Sequence, residues 1–318
     1  MIGARPRWST LARALVSFGL LVAIASWFEP GAVLQHVRTF SFPWLAAALA
    51  ASVVQFWLAA ERWRRTARHL GVPLARRRAL ADYYLAGFGN QVLPGGVLGD
   101  AARAWRHSRS TGRTGPAVRA VVLERASGQF ALVVTLIAIL LLTETGAALR
   151  ASLPGPPPAW LGPGAVLVAL ALIVVGRIPG VLDALRRLGI DARRALLARD
   201  AWPAQLLLSL GVLMTCCAVF ACAGRMIGAE ISLPLLLLVA PAVLVAMLVP
   251  VSIAGWGVRE IAAAGIWAAL GWPPAEGVAV SIAYGVLGLI ASLPGAAVAL
   301  IEAVRIPAPA VDGQTSIR

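Results

Sequence analysis

Long apolar runs, separated by short arginine-rich stretches, set the pattern of this chain. Six runs are long enough to cross a hydrocarbon core, which takes about 20 apolar residues. They cover residues 11–28, 43–60, 117–142, 161–177, 203–223 and 277–304. No stretch alternates polar and apolar positions as a membrane barrel strand would. The pattern predicts an all-α polytopic membrane protein forming a single integral membrane domain over residues 1–318. Two further apolar segments, 83–98 and 233–270, are interrupted by Gly and Pro.

Arginine placement orients the runs, because cytoplasmic loops collect basic residues. Three Arg precede the first run or open it, seven fall in 61–82, five in 99–119, six in 177–202 and two after 304. The loops between, 29–42, 143–160, 224–232 and 271–276, hold only Arg38, Arg150 and Arg225. Both termini are therefore expected on the cytoplasmic side of an inner membrane. Residues 5–25 have the form of a signal peptide and are expected to remain as an uncleaved anchor. A full crossing at 83–98 would carry the five Arg of 99–119 to the outside. A re-entrant segment removes that conflict, and non-helical backbone at membrane depth is tolerated where protein or a water-filled cavity surrounds it. The same reasoning makes 233–270 re-entrant from the opposite face; the alternative is a full span at 233–252.

A short pattern recurs inside these two segments. Residues 94–103 read PGGVLGDAAR and residues 250–259 read PVSIAGWGVR. Pro94, Val97, Gly99 and Arg103 match Pro250, Ile253, Gly255 and Arg259 in spacing. One copy falls in each half, about 1–160 and 161–318. Gly/Pro-interrupted segments at corresponding places of two halves point to a transporter's binding site and to an inverted repeat.

Composition narrows the class. The chain is 59% hydrophobic and 13% charged, with a mean hydropathy of +0.81; a soluble domain carries about 25% charged residues. The formal charge is +14, and all 28 basic residues are Arg. They are spread over membrane-flanking loops and form no groove-sized basic domain, so no nucleic-acid partner is expected. Cys216, Cys217 and Cys222 share one run and His36, His69 and His107 are scattered, so neither a metal site nor a cofactor is expected. No nucleotide-binding motif and no Ser-His-Asp arrangement is present.

Ionisable groups within membrane segments are costly and are functional candidates by default. Arg103 and Arg259 each close a short helix leading away from a Gly-rich turn; they are candidates to hold an anion, with snorkelling to the interface as the alternative. Asn90 and Gln91 suit such a turn. Gly95, Gly96, Gly99, Gly255 and Gly257 would leave backbone N–H groups exposed at a helix start, an anion site, or would serve close helix packing. Asp100 is expected to cap the helix that follows it, with an i,i+3 pair to Arg103 as the alternative. Glu124 and Arg125 lie about 10 Å into their run; Glu124 is expected to pair with Arg103 or another embedded Arg, and Glu260 has the same role beside Arg259. The Glu61-Arg62-Trp63-Arg64-Arg65 cluster reads as an interfacial aromatic and basic anchor, with lipid head-group contact as the alternative.

These residues carry a resemblance. Glu61-Arg62-Trp63-Arg64, the Tyr84–Pro94 and Gly96–Arg103 segments, Val122-Leu123-Glu124-Arg125 and Gly255-Trp256-Gly257-Val258-Arg259-Glu260 together resemble the membrane domain of lysylphosphatidylglycerol synthases, a flippase-like family. In its two-domain members a soluble domain aminoacylates phosphatidylglycerol and the membrane domain is thought to move the product across the bilayer. The 318 residues leave no room for the soluble domain, so the resemblance implies the translocating half and not an enzyme. The Pro94-Gly95-Gly96 turn departs from the polar turn expected of the family, which leaves the lipid open.

Three readings follow. The first is an inner-membrane translocase that passes an anionic or zwitterionic lipid head group through a polar cavity between two halves. The second is a transferase acting on a polyprenyl phosphate or phospholipid. The third is a non-catalytic membrane partner of a separate lipid-modifying enzyme. On the first reading, Arg259→Ala should abolish lipid exchange in liposomes and leave the protein folded.

Overall fold

A computed structural model describes residues 31, 40–93, 97–152, 180–248 and 254–305. Ten α-helices and no strand occur among the described residues. They are α1 (Phe42–His69), α2 (Arg76–Val92), α3 (Leu98–Thr111), α4 (Thr114–Leu142), α5 (Glu144–Ser152), α6 (Val181–Ala192), α7 (Trp202–Met226), α8 (Leu233–Val245), α9 (Val258–Ala269) and α10 (Pro274–Arg305). α1, α4, α7 and α10 are long and apolar enough to cross a membrane. They coincide with the expected runs at 43–60, 117–142, 203–223 and 277–304. The runs at 11–28 and 161–177, and the anchor at 5–25, lie outside the described residues.

α1 outlasts its apolar run because its polar end is buried in protein. α1 continues past residue 60 through Glu61, Arg62, Trp63 and Thr66, all buried. Its apolar part stays largely open, with Val53, Val54 and Trp57 exposed, as a lipid-facing surface requires. α7 runs antiparallel along α1: the Ser41 N–H donates to the Met226 carbonyl at 3.0 Å, and Gln205, near the other end of α7, reaches Thr66. One apolar core gathers α7, α8, α9 and α10 around Phe220, Leu236 and Trp267. A second packs Trp63 and Val72 among α1–α4.

The two interrupted segments fold as helical hairpins, α2–α3 and α8–α9. α8 ends in one tighter turn at Ala246–Leu248 and falls short of the four crossing helices. α2 and α3 touch backbone to backbone: a Cβ on Gly99 would lie 2.0 Å from the Ala86 carbonyl oxygen. α10 passes both hairpins through its own glycines. A Cβ on Gly277 would meet Ala263 and Trp267, and one on Gly285 would meet Arg259 and Trp256. Farther along α10, a Cβ on Gly288 would meet Gln91, one on Gly295 would meet the Tyr84 carbonyl, and Glu302 accepts from Arg106 at 2.6 and 2.7 Å. The hairpins thus lie end to end along α10, bases apart and tips together. Gly285 and Gly288 are three residues apart, about 4.5 Å of helix rise, so the described ends of the two hairpins reach the same stretch of α10. Re-entry from opposite membrane faces is the arrangement this geometry would give if α10 spans the bilayer.

The close approach at Gly99 is testable. Gly99→Ala must force α2 and α3 apart, and overpacking of this kind costs about 1–3 kcal/mol or more. Gly189, on α6, has nothing within 4 Å of an added Cβ. Thermal unfolding in detergent should show a lowered midpoint for Gly99→Ala and none for Gly189→Ala.

Candidate functional site

A cavity of about 830 Å³ lies where the hairpin tips meet the crossing helices. α1 contributes Gln55, Phe56 and Arg62; α2 contributes Tyr83, Asn90 and Gln91. Asp100 of α3, Arg125 and Gln129 of α4, and Ser209 and Cys216 of α7 complete its polar side. Met247, Ala254 and Gly255 bring in the second hairpin, and Tyr284, Gly288 and Ser292 of α10 close it. Gln55, Ala59, Arg62 and Thr66 fall at i, i+4, i+7 and i+11, one face of α1.

The charges form one network. Glu124 is 0% exposed. Its Oε1 accepts from Arg62 Nε at 3.1 Å, from Arg62 Nη2 at 2.5 Å and from the Tyr83 hydroxyl at 3.2 Å. Its Oε2 accepts from Arg103 Nη2 at 2.9 Å. The same nitrogen donates to Asp100 Oδ1 at 2.8 Å. Asp100 Oδ2 accepts from Asn90 Nδ2 at 3.0 Å and from Arg125 Nη2. Three arginines face two carboxylates, which leaves one positive charge. Arg125 is the arginine with open surface: its side chain is 44% exposed, and it lines the cavity. Arg62 also lines the cavity, but its side chain is almost wholly covered.

Arg103 occupies a different position from the one expected. It is buried between the rings of Trp63 and Tyr83, at 4.6 and 4.4 Å, and is not part of the cavity wall. Among the described residues its Nε and Nη1 have no hydrogen-bond partner; the aromatic faces supply the attraction instead. Arg259 sits likewise. It is buried beside Trp256 and Tyr284, at 5.1 and 5.2 Å, and pairs with Glu260 at 2.7 Å. Ser281 accepts from Arg259 Nε at 2.9 Å and donates to Glu260 Oε1 at 2.9 Å. Each repeated arginine therefore lies between two aromatic rings and on a carboxylate. Snorkelling is excluded for both.

The turn residues also rearrange expectation. Asp100 does not cap α3; the Gly99 N–H donates to Asn90 Oδ1 at 2.9 Å, and Asp100 serves the arginines. Asn90 can accept from Gly99, nine residues on, because the hairpin folds it back onto the helix start. The Gly257 N–H, at φ +87°, donates to Glu260 Oε2 at 2.6 Å. The Gly99 and Gly257 amides are thus already occupied, and Gly95 and Gly96 lie outside the described residues. Gly255 lines the cavity at φ +81°. Glu124 and Arg125, adjacent on α4, have separate partners, whereas adjacent Arg259 and Glu260 bind each other. Arg62 and Tyr83 were not among the sequence candidates. The small-and-polar stripe along α1 is the signal that exposes Arg62, since a lipid-facing helix has no use for Gln55 and Arg62 on one face.

A family model described as lysylphosphatidylglycerol synthase TM region matches residues 10–295. The chain belongs to this family. The match includes both hairpins, the Glu124 network and the Arg259–Glu260 pair, and it ties the chain to membrane lipid biochemistry. Comparison with curated proteins gave no match.

Two stability predictions follow from the burial. Removing one partner of a buried ion pair leaves an uncompensated charge and costs about 3–5 kcal/mol. Glu124→Ala should therefore sharply lower the folded yield and the unfolding midpoint in detergent. Arg259→Ala strands Glu260 in the same way, so it is expected to lose folded protein as well as any transport. The paired change Arg259→Met/Glu260→Leu should recover most of the midpoint.

Proposed function

We propose that this family member moves the phosphate-bearing head group of a membrane lipid across the bilayer, making and breaking no bond. The observation that carries the reading is the cavity between the two hairpin tips. It has a net positive charge around it, and Arg125 has open surface into it. A cation in a low-dielectric setting attracts a phosphate far more strongly than the same cation in water. Arg125 would take the phosphate directly, its planar fork matching two phosphate oxygens. Asp100 would release part of its hold on Arg125 as the phosphate arrives and stay bound to Arg103 and Asn90. Glu124 fixes Arg62 and Arg103 by accepting from both, so those two hold the wall in place.

The amides of Gln55, Asn90, Gln91 and Gln129 offer donors and acceptors to the rest of a head group, without committing to one charge. Val97, Val118 and Val122 line the cavity and are exposed. This apolar edge between α3 and α4 would let acyl chains stay in the hydrocarbon as the head group enters. On this reading the arginine-rich side faces the cytoplasm of an inner membrane, and the two hairpins are re-entrant from opposite faces.

Arg125→Gln should retain the fold, because Asp100 keeps two other partners. Liposomes carrying fluorescent phospholipid report exchange as the inner-leaflet fraction that becomes reachable to an external quencher. Arg125→Gln is expected to slow exchange by about tenfold or more, the equivalent of one lost charge-assisted contact, and Arg125→Lys by less. Wild-type exchange in a well-folded Arg125→Gln protein would remove Arg125 from the reading.

A further inference from the structure

We propose that a second lipid site, separate from the cavity, lies between α1 and α2 and takes the phosphate of an anionic phospholipid. A pocket of about 140 Å³ is lined there by Trp57, Glu61, Arg64, Arg76, Arg77 and Leu80, among others. That volume is several times a water molecule's share of the liquid, about 30 Å³, and suits a phosphate group.

The charge balance selects an anion. Glu61 is shared by Arg64, which donates to it twice at 2.7 Å, by Arg65 at 3.0 Å and by Arg76 at a loose 3.9 Å. Arg77 is exposed, and no carboxylate is paired with it among the described residues. One carboxylate therefore serves a pocket lined by three arginines, Arg64, Arg76 and Arg77, and is shared with Arg65 beside it. The rim also coincides with the start of α2, which has no side-chain cap and no acidic residue in its first turn. Arginines at a helix start add to the positive end of the macrodipole, where an anion is the stabilising partner. Arg76 is 76% exposed, so it is free to turn toward a ligand.

The surface next to the pocket selects a lipid over a free anion. Val53, Trp57, Glu61 and Arg64 fall at i, i+4, i+8 and i+11 on α1, a single stripe that runs from apolar to charged. Val53 and Trp57 are exposed, as an acyl chain lying along the helix requires. Trp57 stands at the change of character, the interfacial position that tryptophan favours. Arg62 is turned about 100° from Glu61 and faces the cavity on the other side of α1, so the two sites do not share a wall at this residue. The Glu61–Arg65 cluster, an interfacial anchor by sequence, thereby acquires a defined ligand chemistry.

The test uses the purified full chain in detergent, titrated with dihexanoyl phosphatidylglycerol, dihexanoyl phosphatidylcholine or inorganic phosphate and read as a rise in unfolding midpoint. It is run in the Arg125→Gln background, which removes the exposed cation of the cavity, so that failure of the cavity reading leaves this result intact. Dihexanoyl phosphatidylglycerol should stabilise this protein. Adding Arg76→Gln/Arg77→Gln, both at exposed positions, should raise the half-saturating concentration by about tenfold or more, given the contribution of each basic residue near an anionic lipid. Trp57→Ala should weaken the lipid response as well. Equal protection by phosphatidylcholine, equal protection by inorganic phosphate, or an unchanged titration in the Arg76→Gln/Arg77→Gln protein would each overturn the proposal. The first two arms need no change at the pocket, so they decide even if the pocket variants fold poorly.

Discussion

Glu124 is the group on which the polar half of the molecule depends. A lone carboxylate in such surroundings would be too costly to stay ionised, and three arginines at this depth would be no better placed. Together they form a set in which each charge has an opposite charge from another helix beside it, with one positive charge in excess. Glu124 comes from α4, Arg62 from α1 and Arg103 from α3, and Asp100 joins Arg125 to the same set. The network thus cross-links three helices in a membrane setting where apolar contacts alone give little preference for one packing over another.

Along the opposite axis, glycine rather than charge decides the packing. α10 accepts two hairpins because Gly277, Gly285, Gly288 and Gly295 have no side chains to hold them off. The contact at Gly295 brings the Tyr84 carbonyl within 2.1 Å of where a Cβ would stand. This single helix receives both hairpins, and the cavity lies between them and α1, α4 and α7. Arg103 and Arg259 are buried, each beside two aromatic rings, and Arg125 is left with surface to offer.

The four described crossing helices were legible from apolar run length alone. So were the two hairpins, because Gly and Pro clusters inside apolar segments leave few alternatives. The pairing of Glu124 with an embedded Arg was legible too, since an ionised group at that depth requires a partner. The arginines' division of labour was not. Arg103 and Arg259 stood out by their spacing from Pro94 and Pro250, yet both are enclosed, and the one with open surface is Arg125. Asp100 looked like a helix cap, but Asn90 takes that task, a contact that exists only once the hairpin is closed.

The sequence by itself determined that this is a helical membrane protein of the lysylphosphatidylglycerol synthase membrane-domain family, with two broken segments and a small set of costly embedded charges. Those features follow from the local cost of placing each residue type in hydrocarbon, which is a property of the residue and its near neighbours. Only the tertiary structure decided which charge meets which, which arginine keeps open surface, and that the described ends of the two hairpins reach α10 beside Gly285 and Gly288. Such facts depend on the register between helices distant in the chain. A shift of one residue turns a side chain by about 100°, and Glu61 and Arg62, neighbours in sequence, accordingly line two different pockets.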